Sequence, residues 1–187
     1  LLRVDNINVY NIEHALRASG YPMRARIEKE KLEKMLARGS RLGNTPIGAG
    51  HDKFLRGILV SFDLTASRYF WHEWDTYHFA ESISSQSTMH CITKTDIARS
   101  VDSHVDKRIL RVIEEIIEEY NTNPNEENFL KIKANLPEGF IQTRGITTNY
   151  AQLKTIFHQR NAHRLPEWRE FCHVISTLDH VITLGVC

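Results

Sequence analysis

The chain has 187 residues, 41% of them apolar, which suits a single α+β domain, residues 1–187, with a sizeable core. A formal charge of +1, from 24 basic and 23 acidic residues, excludes a general nucleic-acid or membrane-surface binder, so any anion site must be local. Three cysteines without a Cys-x-x-Cys pair argue for reduced thiols in a cytoplasmic setting and against a disulfide scaffold, and apolar runs such as GILVSF are too short to span a membrane.

Residues 1–10 alternate loosely and predict an edge strand. IEHALRAS and RIEKEKLEKMLARG carry helical spacing, the second stopping at Gly39. The glycine-rich GSRLGNTPIGAGH then predicts a loop of functional length. Residues 54–64 read as a central strand with Val60, Phe62 and Leu64 on one face. From Ala66 to Ser82 the aromatic and histidine spacing predicts a helix, and Tyr69, Trp71 and Trp74 suit either the core or a subunit contact. Helices are expected near 103–120 and 126–134, followed by a turn-rich connector, LPEGFIQTRGITTNY. Two closing helices divide near Pro166. The balance is helix with a modest sheet, an α+β arrangement.

Ten histidines suggest metal binding, but His72 and His78 are six apart and His158 and His163 five apart, neither being the i, i+4 pair of a zinc helix. No metal is therefore expected. The phosphate-loop glycines and the Gly-x-Ser-x-Gly nucleophile elbow are missing too. What remains is SSQSTMH, Ser84 to His90, whose hydroxyls suit either a phosphate ligand or a helix cap, the cap being favoured on these residues alone.

The order of motifs resembles the flavin-dependent thymidylate synthases. ALRASGYPM and NTPIGAGH stand where that family has an Arg-x-Ser stretch and a Thr-Pro loop with a histidine. ILVSFDLTASRYFWHEWDTYHFAESISSQSTMH occupies the place of its strand, helix and Arg-His-Arg-x-x-Ser-x-Asn-x-x-Ser-x-Arg-Tyr signature. QTRGITTNYAQLKTIFHQRNAHRLPEWREFCHVI follows the order of its closing elements. The general look is also similar to that of small phage proteins.

The resemblance implies a small, mostly antiparallel sheet against several long helices, and a homo-oligomer, a tetramer in the family. It implies a pyrimidine nucleotide such as dUMP as partner, with Ser85, Gln86, Ser87, His90 and Arg144 on the substrate: Ser85, Gln86 and Ser87 hold phosphate, while Arg144 and the catalytic Arg160 orient the base. It implies FAD as cofactor, with His51 and His78 on its side. Where the family has Arg-His-Arg, however, this chain reads Asp75, Thr76, Tyr77, His78. Two expectations follow: a divergent enzyme modifying a pyrimidine nucleotide, or a nucleotide-binding or interaction protein that has lost the flavin site.

Overall fold

A four-stranded antiparallel sheet organises the computed structural model, which describes residues 2–187. The strands are β1 (Arg3–Tyr10), β2 (Leu59–Ser67), β3 (Glu81–Ser85) and β4 (Ile141–Asn149), in the order β1-β2-β4-β3. Around it lie α1 (Ile12–Ala18), α2 (Leu32–Gly43), α3 (Arg68–Trp74), α4 (Thr88–Cys91), α5 (Lys107–Thr122), α6 (Glu126–Asn135), α7 (Tyr150–Arg160) and α8 (Pro166–Ser176). The α+β class expected from the sequence is the one found. Among the described residues no helix is long and apolar enough to cross a membrane.

The core follows from the two-residue period of β2, which turns Val60, Phe62, Leu64 and Ala66 to one side. Against that face pack Phe70, Trp71 and Trp74 of α3, with Trp168 and Phe171 of α8. Phe70 and Trp168 have ring centroids 4.2 Å apart, and Trp74 lies nearly parallel to Trp168. Each such aromatic contributes roughly 1.5–3 kcal/mol by leaving water. The aromatic run thus fills the core, leaving Phe79 and Ile83 as exposed apolar side chains beside and within the edge strand β3. A second cluster, with Ile92, Ile97, Ile113, Ile132, Leu136 and Phe140, joins α5 and α6 to the turns after α4.

Several boundaries differ from the sequence reading. The helix expected over 66–82 is only seven residues long: β2 continues to Ser67, whose hydroxyl accepts from Phe70 N, and Asp75 ends α3. The chain then turns, and ESISS becomes a strand by pairing with β4. The connector reading of ITTNY and the residues before it is overturned more completely, because Ile141–Asn149 is a central strand paired on both sides. Gly145 there faces a bulge at Ile83 and starts no turn.

At Gly39 the second helix does not stop but runs on to Gly43. A Cβ on Gly39 would lie 2.5 Å from Leu16 Cδ2, so the glycine permits close packing of α1 on α2. The strand expected from Phe54 starts only at Leu59, after a short 3-10 turn over Lys53–Gly57. The helix expected near 103–120 begins at Lys107, where Asp106 accepts from Arg108 N, and ends at Thr122.

Candidate functional site

A cavity of about 250 Å³ opens where α3, α6 and β4 meet. Its walls carry three permanent cations, Arg68, Lys133 and Arg144, against one carboxylate, Asp75. Thr88, Gln142 and His72 add polar groups, and Trp71 forms the apolar side.

Each wall group is held by the element that carries it. Trp71 donates from Nε1 to the carbonyls of Ala66 and Gln142, both at 3.2 Å, fixing the indole against the ends of β2 and β4. Arg144, paired across the sheet with Leu64 and Ser85, lays its guanidinium over that indole, 4.2 Å from the ring centroid. Its Nη1 donates to Asp75 Oδ1 at 2.7 Å. Arg68, the first residue of α3, is held more loosely, reaching the Leu136 carbonyl at 3.3 Å and Glu138 at 3.7 Å. His72 shares Glu138, with Nε2 at 2.9 Å from the carboxylate.

Lys133 is the least compensated of the three cations. Its Nζ donates to the Thr88 hydroxyl, and among the described residues no carboxylate forms an ion pair with it. Removal from water, followed by the charge of Arg68, pulls its pKa below the ordinary lysine value. A cluster in which cations destabilise one another is a place where an anion lowers the energy.

The hydroxyl-rich segment borders this cavity. Ser84 and Ser85 belong to β3, and Gln86 continues the pairing: its N donates to Thr143 O at 3.0 Å and its side-chain Oε1 accepts from Thr143 N at 2.9 Å. Ser87 Oγ accepts from Met89 N and His90 N and so caps α4. A smaller cavity of about 130 Å³, lined in part by Gln86 and Ser87, shares Thr88 and Gln142 with the larger one. The fold therefore places Gln86 and Ser87 in the smaller cavity beside that of Arg144, with Thr88 on the wall of both and Ser85 opposite Arg144 in the sheet. The exposed His90 lines neither cavity.

Arg160, at the end of α7, belongs to a separate cluster. Nε donates to the Tyr77 hydroxyl at 2.8 Å, while Nη1 donates to Glu73 Oε2 and faces His163 Nε2 at 2.9 Å. The guanidinium lies 4.7 Å from the Trp168 ring centroid, and Trp168 Nε1 donates to Glu73 at 2.9 Å. Arg160 is thus fixed along two of its edges, through Nε and Nη1. His51, exposed in the turns after α2, and His78, exposed between α3 and β3, lie on neither cavity wall.

Neither the protein-family models nor the curated proteins contain a match to the sequence. Solved structures do match over the whole chain. Thymidylate synthase X from Helicobacter pylori, determined with FAD and dUMP, superposes with a TM-score of 0.76 at 14% identity, covering 100% of this chain and 97% of that one. A second structure of that enzyme with the same ligands gives 0.75 at 15% identity, covering 99% of each chain. The UMP/dUMP methylase PolB from Streptomyces cacaoi, bound with 5-Br dUMP, gives 0.66 at 12% identity, covering 95% of this chain and 89% of that one.

The fold is that of the flavin-dependent thymidylate synthases. On this thymidylate synthase fold the stretch Asp75–His78 can be tested against a flavin dinucleotide. Asp75 is engaged by Arg144, and Thr76 Oγ1 donates to the Glu73 carbonyl. The Tyr77 hydroxyl accepts from Arg160 and donates to Gln159. None of the four is a permanent cation, so they do not fit a pyrophosphate.

Sequence reasoning missed Arg68 and Lys133. Arg68 hides at the head of an aromatic run, and Lys133 looks like one more solvated charge in FLKIKAN. No spacing in the sequence separates Lys133 from Lys131, which flanks the same buried Ile132 and pairs with Glu119.

Proposed function

We propose that this protein binds a pyrimidine nucleoside monophosphate of the dUMP kind. The phosphate occupies the cavity beside Arg144 and the Ser85–Thr88 segment, and Arg160 orients the base. The observation that carries this reading is a cavity with three permanent cations against one carboxylate, next to a hydroxyl-rich turn. It lies in a fold whose neighbours were solved with dUMP or 5-Br dUMP. At about 250 Å³ the cavity falls just below the roughly 300–1,000 Å³ of drug-sized ligand pockets, a size for the phosphate end of a mononucleotide.

The chain's own groups supply binding and orientation. Arg144 is preorganised by the Trp71 indole, and its planar fork suits a phosphate oxygen pair. Arg160, fixed by Glu73 and Tyr77, offers its remaining N–H groups to a uracil carbonyl, where they would draw electron density from the ring. A base polarised in this way supports the reading of a thymidylate synthase-like modification. A second reading, binding without turnover, is favoured by the absence of a permanent cation among Asp75, Thr76, Tyr77 and His78.

Absorbance and thermal unfolding of the purified protein separate the readings. Both require that dUMP raise the Tm, since a ligand that binds only the folded state stabilises it. A flavin spectrum, carried through purification or acquired on adding FAD, selects the modifying enzyme. Colourless protein that takes up no FAD selects binding alone. A Tm indifferent to dUMP at millimolar concentration contradicts both.

A further inference from the structure

We infer that Arg68 and Lys133 are the phosphate ligands of this site, and that the incoming phosphate takes the place of Asp75 on Arg144. The inference rests on the nucleotide-binding reading and assigns its anion grip to residues outside the hydroxyl-rich segment. Near the end of the signature, where the resemblance calls for an arginine, this chain has Met89 or His90, depending on register. Charge lost there is supplied from α3 and α6.

The geometry points to these groups because their hydrogen-bonding capacity is unspent. An ammonium has three donors and a guanidinium five. Lys133 uses its ammonium on the Thr88 hydroxyl, and Arg68 is held by one long bond to a carbonyl and a carboxylate at 3.7 Å. Both face a cavity that also holds Arg144 and the Gln142 side chain. A dianion placed among them meets three cations, and the mutual repulsion of Lys133 and Arg68 becomes attraction to a shared partner.

Asp75 is the carboxylate that can leave. Its side chain is 54% exposed and its hold on Arg144 is one bond at 2.7 Å, so water readily replaces what it gives up. Glu73, two residues earlier, differs: it accepts from Trp168 Nε1 as well as from Arg160 and belongs to the packed cluster. Glu73 therefore positions Arg160, whereas Asp75 occupies Arg144 only until a stronger anion arrives. The unliganded site holds its own competitor, so an incoming anion must bind Arg144 more strongly than Asp75 does.

Calorimetric titration of dUMP and of deoxyuridine into the full chain and its Lys133→Gln, Arg68→Gln and Asp75→Asn variants tests this, with thermal shifts in inorganic phosphate alongside. Loss of either cation should weaken dUMP by about tenfold or more while barely changing deoxyuridine. Asp75→Asn should bind dUMP several-fold more tightly, a gain that a folding defect cannot produce. Wild-type affinity for dUMP in both cation variants overturns the assignment and leaves the nucleotide reading standing. Weaker binding by Asp75→Asn overturns the displacement. If dUMP does not bind but phosphate stabilises the wild type and not Lys133→Gln, the nucleotide reading falls and the anion grip survives. Indifference to both ligands sinks the two together.

Discussion

Glu30 lies between two guanidinium groups with its side chain 4% exposed; Arg24 reaches Oε1 at 2.7 Å and Arg38 at 2.8 Å. Arg38 also donates to Ser19 Oγ and to the Leu16 carbonyl, so one carboxylate ties the end of α1 to the segment before α2. The Arg38 hydrogen bond, more than any other cause, holds the Glu30 pKa below the ordinary 4.5, against the opposing effect of burial. A carboxylate depressed in the folded state contributes stability above its unfolded pKa and loses it as pH falls through the folded one. Glu30→Gln should therefore lower the Tm at pH 7, with the gap to wild type closing below about pH 4.5. A gap of equal size at pH 7 and pH 3 would count against this role. The sequence hides the residue: RIEKEK has helical charge spacing, yet residues 26–31 stay outside α2 because Glu30 folds inward onto its arginines.

Lys154 does similar work between elements. It is 3% exposed, and from α7 its ammonium donates to the carbonyls of Gly43 and Thr45 and to Asp52. It thereby satisfies the C-terminal end of α2 and pins the glycine-rich loop. Lys154→Met should cost about 3 kcal/mol in denaturant unfolding, because two carbonyls and a carboxylate lose a shared donor. A loss under ~1 kcal/mol would mean that water replaces it freely.

Elements with a clear periodicity were legible in the sequence, the middle of β2, α6 and the final helix pair, and so was β1 despite its loose alternation and the register break between Asp5 and Asn8. Those whose identity depends on a partner were not. Tertiary pairing makes ESISS a strand although all its residues are exposed, and β4 carries a glycine and three threonines that resemble a turn when read alone. Of the two readings its residues allowed, the helix cap is present at Ser87, and the same segment borders a cavity.

At the scale of the whole molecule, the cavity lies at the seam between the two apolar clusters. Trp71 belongs to the sheet core, while Lys133 stands on the helix whose Ile132 belongs to the other. Such seams are where ligand sites tend to form, since neither core closes over them. This also explains why spacing rules did not find the cations. Arg68, Lys133 and Arg144 come from three elements, and only the crossing of β4 between β2 and β3 brings Arg144 back to α3. The order of motifs along the chain, in contrast, survives divergence to 14% identity, and so pointed to the fold.

The central claim is that this seam holds the phosphate of a pyrimidine nucleotide through Arg144. Calorimetric titration of dUMP into the wild type and into Arg144→Ala tests it most directly, in low salt and again in 0.5 M NaCl. A saturable 1:1 heat in the wild type, weakened by salt and reduced at least about tenfold in Arg144→Ala, is the predicted result. Equal affinity in the two proteins would contradict it.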